Sequence, residues 1–241
     1  MPPTKSAALA GSGLALGLAA VAAYAGLSAQ SQIFGQTIVA PPSPNEIALT
    51  FDDGPNPAAT PQLLEVLARH SVRATFFLIG NFVRREAHLV RQIAAAGHAV
   101  GNHTMTHRRL LLLGSRTIHQ ELADCNQAIE DTLGNAVQLF RPPYGSRRPV
   151  VMQLANELGL TTVQWNVMVG DWNPTSAATL LARLERGMRR NQARGRGSNI
   201  VLHDGGHSGL GQPRLATVAA VDRLLSRLPP ETAFVTPGAW S

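Results

Sequence analysis

The sequence predicts an α/β fold, a distorted (β/α) barrel of about seven parallel strands, preceded by an N-terminal signal or anchor helix. Three observations lead there. From Glu46 onward short apolar stretches of strand length alternate with longer amphipathic stretches, the pattern of repeated βα units. Polar clusters fall at the C-terminal ends of most of those strands, and strand ends spread around a sheet converge on one point most readily when the sheet closes. The 241 residues, 44% hydrophobic and 15% charged, suit a single buried core.

Taken in order, residues 1 to 5 carry one lysine, Lys5, and Ser6 to Leu27 carry no charge. That run reads as an export segment. Small residues Ala23 and Ala25, or Ala29, stand where a signal peptide is cut, and the run is also long enough to span ~30 Å of hydrocarbon as an uncleaved anchor through residues 6–27. Residues 1–29 are therefore assigned to a signal peptide or membrane anchor, and 30–45, ending in Pro41-Pro42-Ser43-Pro44, to a stiff extended linker. The catalytic-size domain spans 46–237. Its strands are expected at 46–51, 74–79, 98–102, 139–141, 161–165, 199–203 and 233–236. Helices are expected near 61–70, 84–96, 116–133, 149–158, 177–190 and 213–228. Pro61 suits a first helical turn, and Gly97, Gly134 and Gly159 suit helix exits.

Composition narrows the chemistry. One cysteine, Cys125, excludes an internal disulfide and a thiolate-rich zinc knot, so any metal must be held by histidines and carboxylates. Cys125 shares a helical stripe with Ile118, Leu122 and Ile129 and reads as core. The net charge of +6 suits an anionic envelope polymer or membrane surface. A nucleic-acid partner is not expected, because the basic stretch 183–196 has no aromatic platform.

The first strand ends in Thr50-Phe51-Asp52-Asp53-Gly54-Pro55. Strand alternation sends Asp52 and Asp53 in opposite directions, so one faces a central site and the Gly54-Pro55 turn re-aims the other. His103 and His107, four apart, share one face if they occupy a helical turn, and with Asp53 they form a set of two histidines and a carboxylate with positions left open. Asp52 is then free to act as general base on a water acidified by the metal, and His203, at the end of the sixth strand, is the candidate acid for a departing amine. His207, after Gly205-Gly206, is a rim residue, and Trp165 is assigned to the core.

Thr50 to Pro55, His103 to His107, Arg141-Pro142-Pro143-Tyr144, Asp171-Trp172 and Leu202-His203 resemble, in order and spacing, the five motifs of the polysaccharide deacetylases, the NodB-homology carbohydrate esterases of family four. The resemblance implies a divalent metal, zinc or alternatively cobalt or a similar ion, and hydrolysis of N-acetyl groups on a glucosamine-containing polymer outside the cytoplasm: peptidoglycan or a chitin-like oligomer. It implies that Asp52 is the base, that Asp53, His103 and His107 hold the metal, and that Arg141 holds Asp52 by a charge-assisted hydrogen bond. The Tyr144 backbone N–H would stabilise the oxyanion. Pro143 would stiffen that loop, Asp171, Trp172 and Leu202 would line the substrate side, and His203 would be the acid. An O-acetyl esterase of xylan-type polymers and a weakened glycan-binding module are the alternatives. One departure bears on rate: many relatives carry an acidic residue three positions before the Asp-Trp pair, where it supports the acid histidine, and here that position is Met168. Without a substitute such as Asp171 or Asp204, the His203 pKa would fall.

Overall fold

The computed structural model describes residues 17–240. A parallel sheet curls into a half-open barrel with helices outside. Along the sheet the order is β5 (Thr161–Thr162), β4 (Leu139–Phe140), β3 (Ala99–Asn102), β2 (Thr75–Leu78), β1 (Glu46–Gly54), β7 (Ser198–His203) and β6 (Val167–Met168). Strand β8 (Ala233–Phe234) pairs with Glu46 and Ile47, on the side of β1 that β2 leaves free below Thr50. The two outermost strands, β5 and β6, are separated by only four residues of chain, so the sheet nearly closes on itself. β6 is the strand the sequence did not announce, a two-residue pairing with Ile200 and Val201.

β1 is central because it is apolar on both sides: every residue after Glu46 is buried, as expected of a parallel strand covered by helices. The helices are α1 (17–27), α2 (Thr60–Arg69), α3 (Gly80–Arg85), α4 (Ala87–Ala95), α5 (Ser115–Leu133), α6 (Pro149–Glu157), α7 (Ala177–Gln192) and α8 (Leu215–Leu225). The single helix expected over 84–96 is two, broken at Glu86. In α5 the buried Ile118, Leu122, Cys125 and Ile129 form the inward stripe. The helix stops at Gly134, whose φ of 73° places it in the left-handed cap position, with its N–H donating to the Glu130 carbonyl.

The N-terminal expectations are met unevenly. Residues 6–16 of the apolar run lie outside the described residues, and its remainder forms α1. Among the described residues no helix is long and apolar enough to cross a membrane. The stretch expected to be a linker is docked instead. Ser31 is buried, and Ile38 bridges Val163 in parallel, its N–H donating to Thr162 and its carbonyl accepting from Gln164. The free edge of β5 offers unpaired backbone groups, and the passing chain satisfies them.

Candidate active site

The site grows from an irregularity at the end of β1. Asp52 pairs with Phe77 and Gly54 with Leu78, so Asp53 is an extra residue in the ladder, with φ of 68°. A strict alternation would turn the two carboxylates apart; the bulge turns both toward the same cleft, where both are buried. The backbone there is tightly packed, since a Cβ on Gly205 would meet the Asp53 carbonyl at 2.0 Å.

His103 and His107 flank Asp53. Their Nε2 atoms lie 3.5 and 3.2 Å from Asp53 Oδ1, an oxygen that is buried and has no hydrogen-bond partner. The helical turn expected over 103–107 is not formed. These residues follow β3 as a loop in which Thr104 and His107 adopt positive φ, 67° and 57°. Asn102 Oδ1 accepts from the Thr104 N–H and Thr104 Oγ1 from the His107 N–H, which holds the two rings 4.9 Å apart. His103 Nδ1 lies 2.7 Å from the Arg141 carbonyl, which can only accept, so Nδ1 carries the proton and the Nε2 lone pair faces Asp53. Burial, with the neighbouring His103, pushes the His107 pKa down to about 3, so this ring is neutral and able to donate a lone pair. Burial opposes ionisation of Asp53, yet the imidazoles of His103 and His107 beside it hold its carboxyl well below the usual range. A buried oxygen without a proton donor, between two imidazole nitrogens, fits a divalent cation. His207 adds to this cluster: it stacks on His107 at 4.6 Å, and Asp53, His107 and His207 offer ligand atoms within 4.8 Å of one another, the one such group among the described residues.

Arg141 stands fully buried behind Asp52. Nη1 donates to Asp52 Oδ1 at 2.8 Å and to Thr50 Oγ1 at 2.7 Å, and Nη2 to the Gln164 carbonyl at 3.0 Å, while the guanidinium lies 4.2 Å from the Phe77 ring centre. These contacts explain how a charged group sits in the barrel interior: its donors are satisfied and its partner is the opposite charge.

His203 comes from the end of β7. Asp171, expected on the substrate side, is turned inward and does not reach the cleft. Its Oδ1 accepts from His203 Nδ1 at 2.9 Å, and its Oδ2 accepts from the His203 N–H at 2.8 Å and Thr217 Oγ1 at 3.0 Å. Burial alone would lower the His203 pKa, but the Asp171 carboxylate outweighs it and raises the value to about 9. Asp171 is thus the carboxylate that supports His203, and Met168 is exposed at the cleft.

The cleft, of about 640 Å³, is lined by Asp52, Asp53, His103, His107 and His203 on its floor and by Tyr144, Trp165, Trp172 and Met168 on its walls. Leu202, expected as a wall, is buried in the core on the far face of β7, and Val201 stands in the cleft beside His203. The reason is strand alternation: residues two apart share a face, and 201 is two from 203. Pro143 is also buried. It opens the short turn Pro143–Gly145 that carries Tyr144 to the rim with φ of 59°. Trp165, read as core, reaches the cleft because the chain leaves regular strand after Thr162. Arg109, whose guanidinium lies 3.9 Å from the Tyr144 ring centre, and Arg214 were not anticipated, since isolated arginines in loops carry no pattern.

A family model described as polysaccharide deacetylase matches residues 40–163, just over half of the chain. The chain belongs to the polysaccharide deacetylase family. It is 39% identical over 160 residues to a chitooligosaccharide deacetylase of Sinorhizobium fredii (strain NBRC 101917 / NGR234), covering 66% of this chain and 72% of that one. It is 33% identical over 182 residues to the peptidoglycan-N-acetylglucosamine deacetylase PgdA of Listeria monocytogenes (serotype 1/2a, strain 10403S), 76% of this chain but 35% of the relative. Among solved structures, the Bc1960 peptidoglycan N-acetylglucosamine deacetylase superposes with a TM-score of 0.74 at 32% identity, covering 83% of this chain and 89% of that one. The deacetylase domain accounts for the curled barrel and the strand-end site alike.

Proposed function

We propose that this polysaccharide deacetylase is a metal-dependent hydrolase that removes the acetyl group from N-acetylglucosamine residues of an exported glycan, peptidoglycan or a chitin-like oligomer. The observation that carries the reading is the pair of groups facing one cleft, Asp52 tied to Arg141 and His203 tied to the Asp171 carboxylate that favours its protonated form, with the donor set of Asp53, His103 and His107 beside them. Asp53, His103 and His107 would hold a divalent cation, which would supply Lewis acidity and lower the pKa of a water.

The chain's own residues divide the remaining work. Asp52, oriented by Arg141, accepts a proton from the water whose oxygen bonds to the acyl carbon. The backbone N–H of Tyr144 donates to the oxygen on which negative charge develops. Trp172, Val201 and Trp165 offer apolar surface to the methyl group and exclude water from the reacting carbon. As the C–N bond breaks, His203 gives its proton to the amine nitrogen, which leaves as the free amino sugar while acetate remains. With a pKa of about 9 the imidazolium is the dominant form at neutral pH, as an acid must be.

Acetate release from peptidoglycan and from N-acetylated chitooligomers, with xylan-type O-acetyl esters as comparison, tests the reading. Activity lost on chelation and restored by zinc or cobalt is expected, with the N-acetyl substrates preferred. Release that is indifferent to chelator, or confined to O-acetyl esters, overturns it.

A further inference from the structure

We infer that four arginines along α7 form an anion-binding subsite beside the catalytic cleft, and that it holds carboxylates carried by the glycan strand whose acetyl group lies in the cleft. The inference rests on the reading of the cleft as a glycan deacetylase site. A second groove, of about 400 Å³, lies between α7 and the outermost strand β6, and Arg183, Arg186, Arg190 and Arg194 line it. Its floor is Asn166 to Val169, and Met168 lines both groove and cleft, so the two adjoin there. Gly187 brings helix and strand together: a Cβ there would meet Val167 Cγ1 at 2.7 Å, so the helix backbone lies close against β6.

The charge of the groove is not answered by the protein. Among the described residues no carboxylate lines it, and none pairs with any of the four arginines, all of them exposed. Glu185, the one acid of α7, pairs instead with Arg189 and Arg227. Arg183 Nη1 donates to the Val169 carbonyl at 2.8 Å, which fixes that guanidinium over the floor and leaves its charge without a counter-ion. Asn166 and Asn191 already donate to the Gly197 carbonyl and to Ser198 Oγ, so the free donors of the groove are mainly guanidinium N–H groups. The helix dipole favours Arg189 and Arg190 in the last turn, but Arg183 and Arg186 stand before it. Arg186 and Arg190, four apart, repel each other and weaken the helix. An anion from outside relieves that repulsion.

Spacing and shape select the ligand. Arg183 to Arg190 covers two turns, ~10 Å of helix axis at 1.5 Å per residue, a spread that suits several linked anions better than one ion. Guanidinium forks match carboxylates through paired hydrogen bonds. The groove holds no aromatic side chain on which a nucleic-acid base could stack, and its concave form suits an extended strand better than the face of a bilayer. A strand of N-acetylglucosamine alone is neutral and gains nothing there. A peptidoglycan strand bears a lactyl carboxylate on every second sugar, and a strand seated in the cleft leads these groups past Met168 onto the arginines. Met168 is exposed and uncharged, so it leaves that passage open to an anion.

The test measures binding to the full chain carrying Asp52→Asn, so that the glycan is not consumed. The probes are peptidoglycan strands freed of peptide, the same strands with their lactyl carboxylates methyl-esterified, chitooligomers of equal length, and vesicles of anionic lipid. Titration calorimetry is expected to show the carboxylate strands bound at least about tenfold more tightly than either neutral strand at about 50 mM salt, with the advantage largely gone at about 500 mM. The double variant Arg186→Gln/Arg190→Gln should remove most of that advantage and leave chitooligomer binding unchanged, and Met168→Asp should reduce it by repulsion. Equal affinity for charged and neutral strands overturns the subsite, as does an advantage that survives the folded double variant. Anionic vesicles bound more tightly than the strands, and released by the same double variant, overturn the glycan as occupant. If the double variant does not fold, the parent chain's response to esterification and salt still decides. Discrimination between strands without acetate release by the unsubstituted protein supports the subsite and refutes the reading of the cleft, whereas acetate release without discrimination refutes the subsite alone.

Discussion

Asp171→Asn isolates the group that sets the acid. The substitution keeps an oxygen for His203 Nδ1–H but deletes the charge that overcomes burial. A rise from 6.5 to about 9, at about 1.4 kcal/mol per tenfold, represents about 3 kcal/mol favouring the imidazolium. With the charge gone, burial prevails and the pKa falls below 6.5. At pH 7.5 the protonated fraction then drops from nearly all to less than about a tenth, so kcat/KM falls at least about tenfold there. The deficit should shrink as the pH is lowered toward 6. A cation at Asp53 offsets part of the attraction that Asp52 and Asp53 exert on His203, so the metal-loaded parent's basic limb lies below 9, but the difference between parent and variant comes from direct contact and persists. Stability should follow the same sign. A pKa raised on folding contributes stability fully present below about pH 6.5 and lost as pH rises through about 9, so unfolding of the metal-free parent should become easier over that window and Asp171→Asn should flatten the dependence. A basic limb that stays in place in Asp171→Asn refutes the assignment.

Asp52→Asn is expected to abolish turnover with zinc content intact, whereas His103→Ala should lose zinc, as atomic emission on the purified proteins would show; full activity in Asp52→Asn contradicts the base. Arg141→Met leaves Asp52 buried beside an apolar chain and should destabilise the domain by about 3–5 kcal/mol, read by urea unfolding, and a change within about 1 kcal/mol argues against the pairing. Gly205→Ala forces a Cβ against the Asp53 carbonyl, so zinc affinity should weaken at least about tenfold in competition titration; unchanged affinity shows that the bulge tolerates displacement. Val201→Phe projects a ring toward the cleft floor beside His203 and should raise KM for acetylated substrates far more than Leu202→Met, which changes only the core.

The ladder of short strands and amphipathic helices was legible because burial imposes pattern: β1, α5 and β7 are found where short apolar runs and a helical period placed them. Elements of two residues, such as β6, leave no period to detect. The break at Glu86 carries neither glycine nor proline to announce it. The motif residues were legible as chemistry, since carboxylates and histidines at strand ends have few structural uses. Their directions were not. Leu202 and Val201 differ only in which face of β7 they take, a matter that counting back from His203 would have settled. Asp171 looked like a substrate contact because proximity in sequence to Trp172 says nothing of the inward turn that gives it to His203.

By itself, the sequence determined the fold class, the family and the identity of the groups at the cleft: Asp52, Asp53, His103, His107 and His203 face it, and Arg141 stands behind Asp52. What only the tertiary structure decided is how neighbours act together. Alternation alone would separate Asp52 from Asp53, and it is the bulge opposite Phe77 and Leu78 that brings both carboxylates to one cleft. The reason is physical: residue type is a local property, but side-chain direction depends on backbone pairing with a strand more than twenty residues away, and the charge balance around His203 likewise depends on contacts distant in sequence.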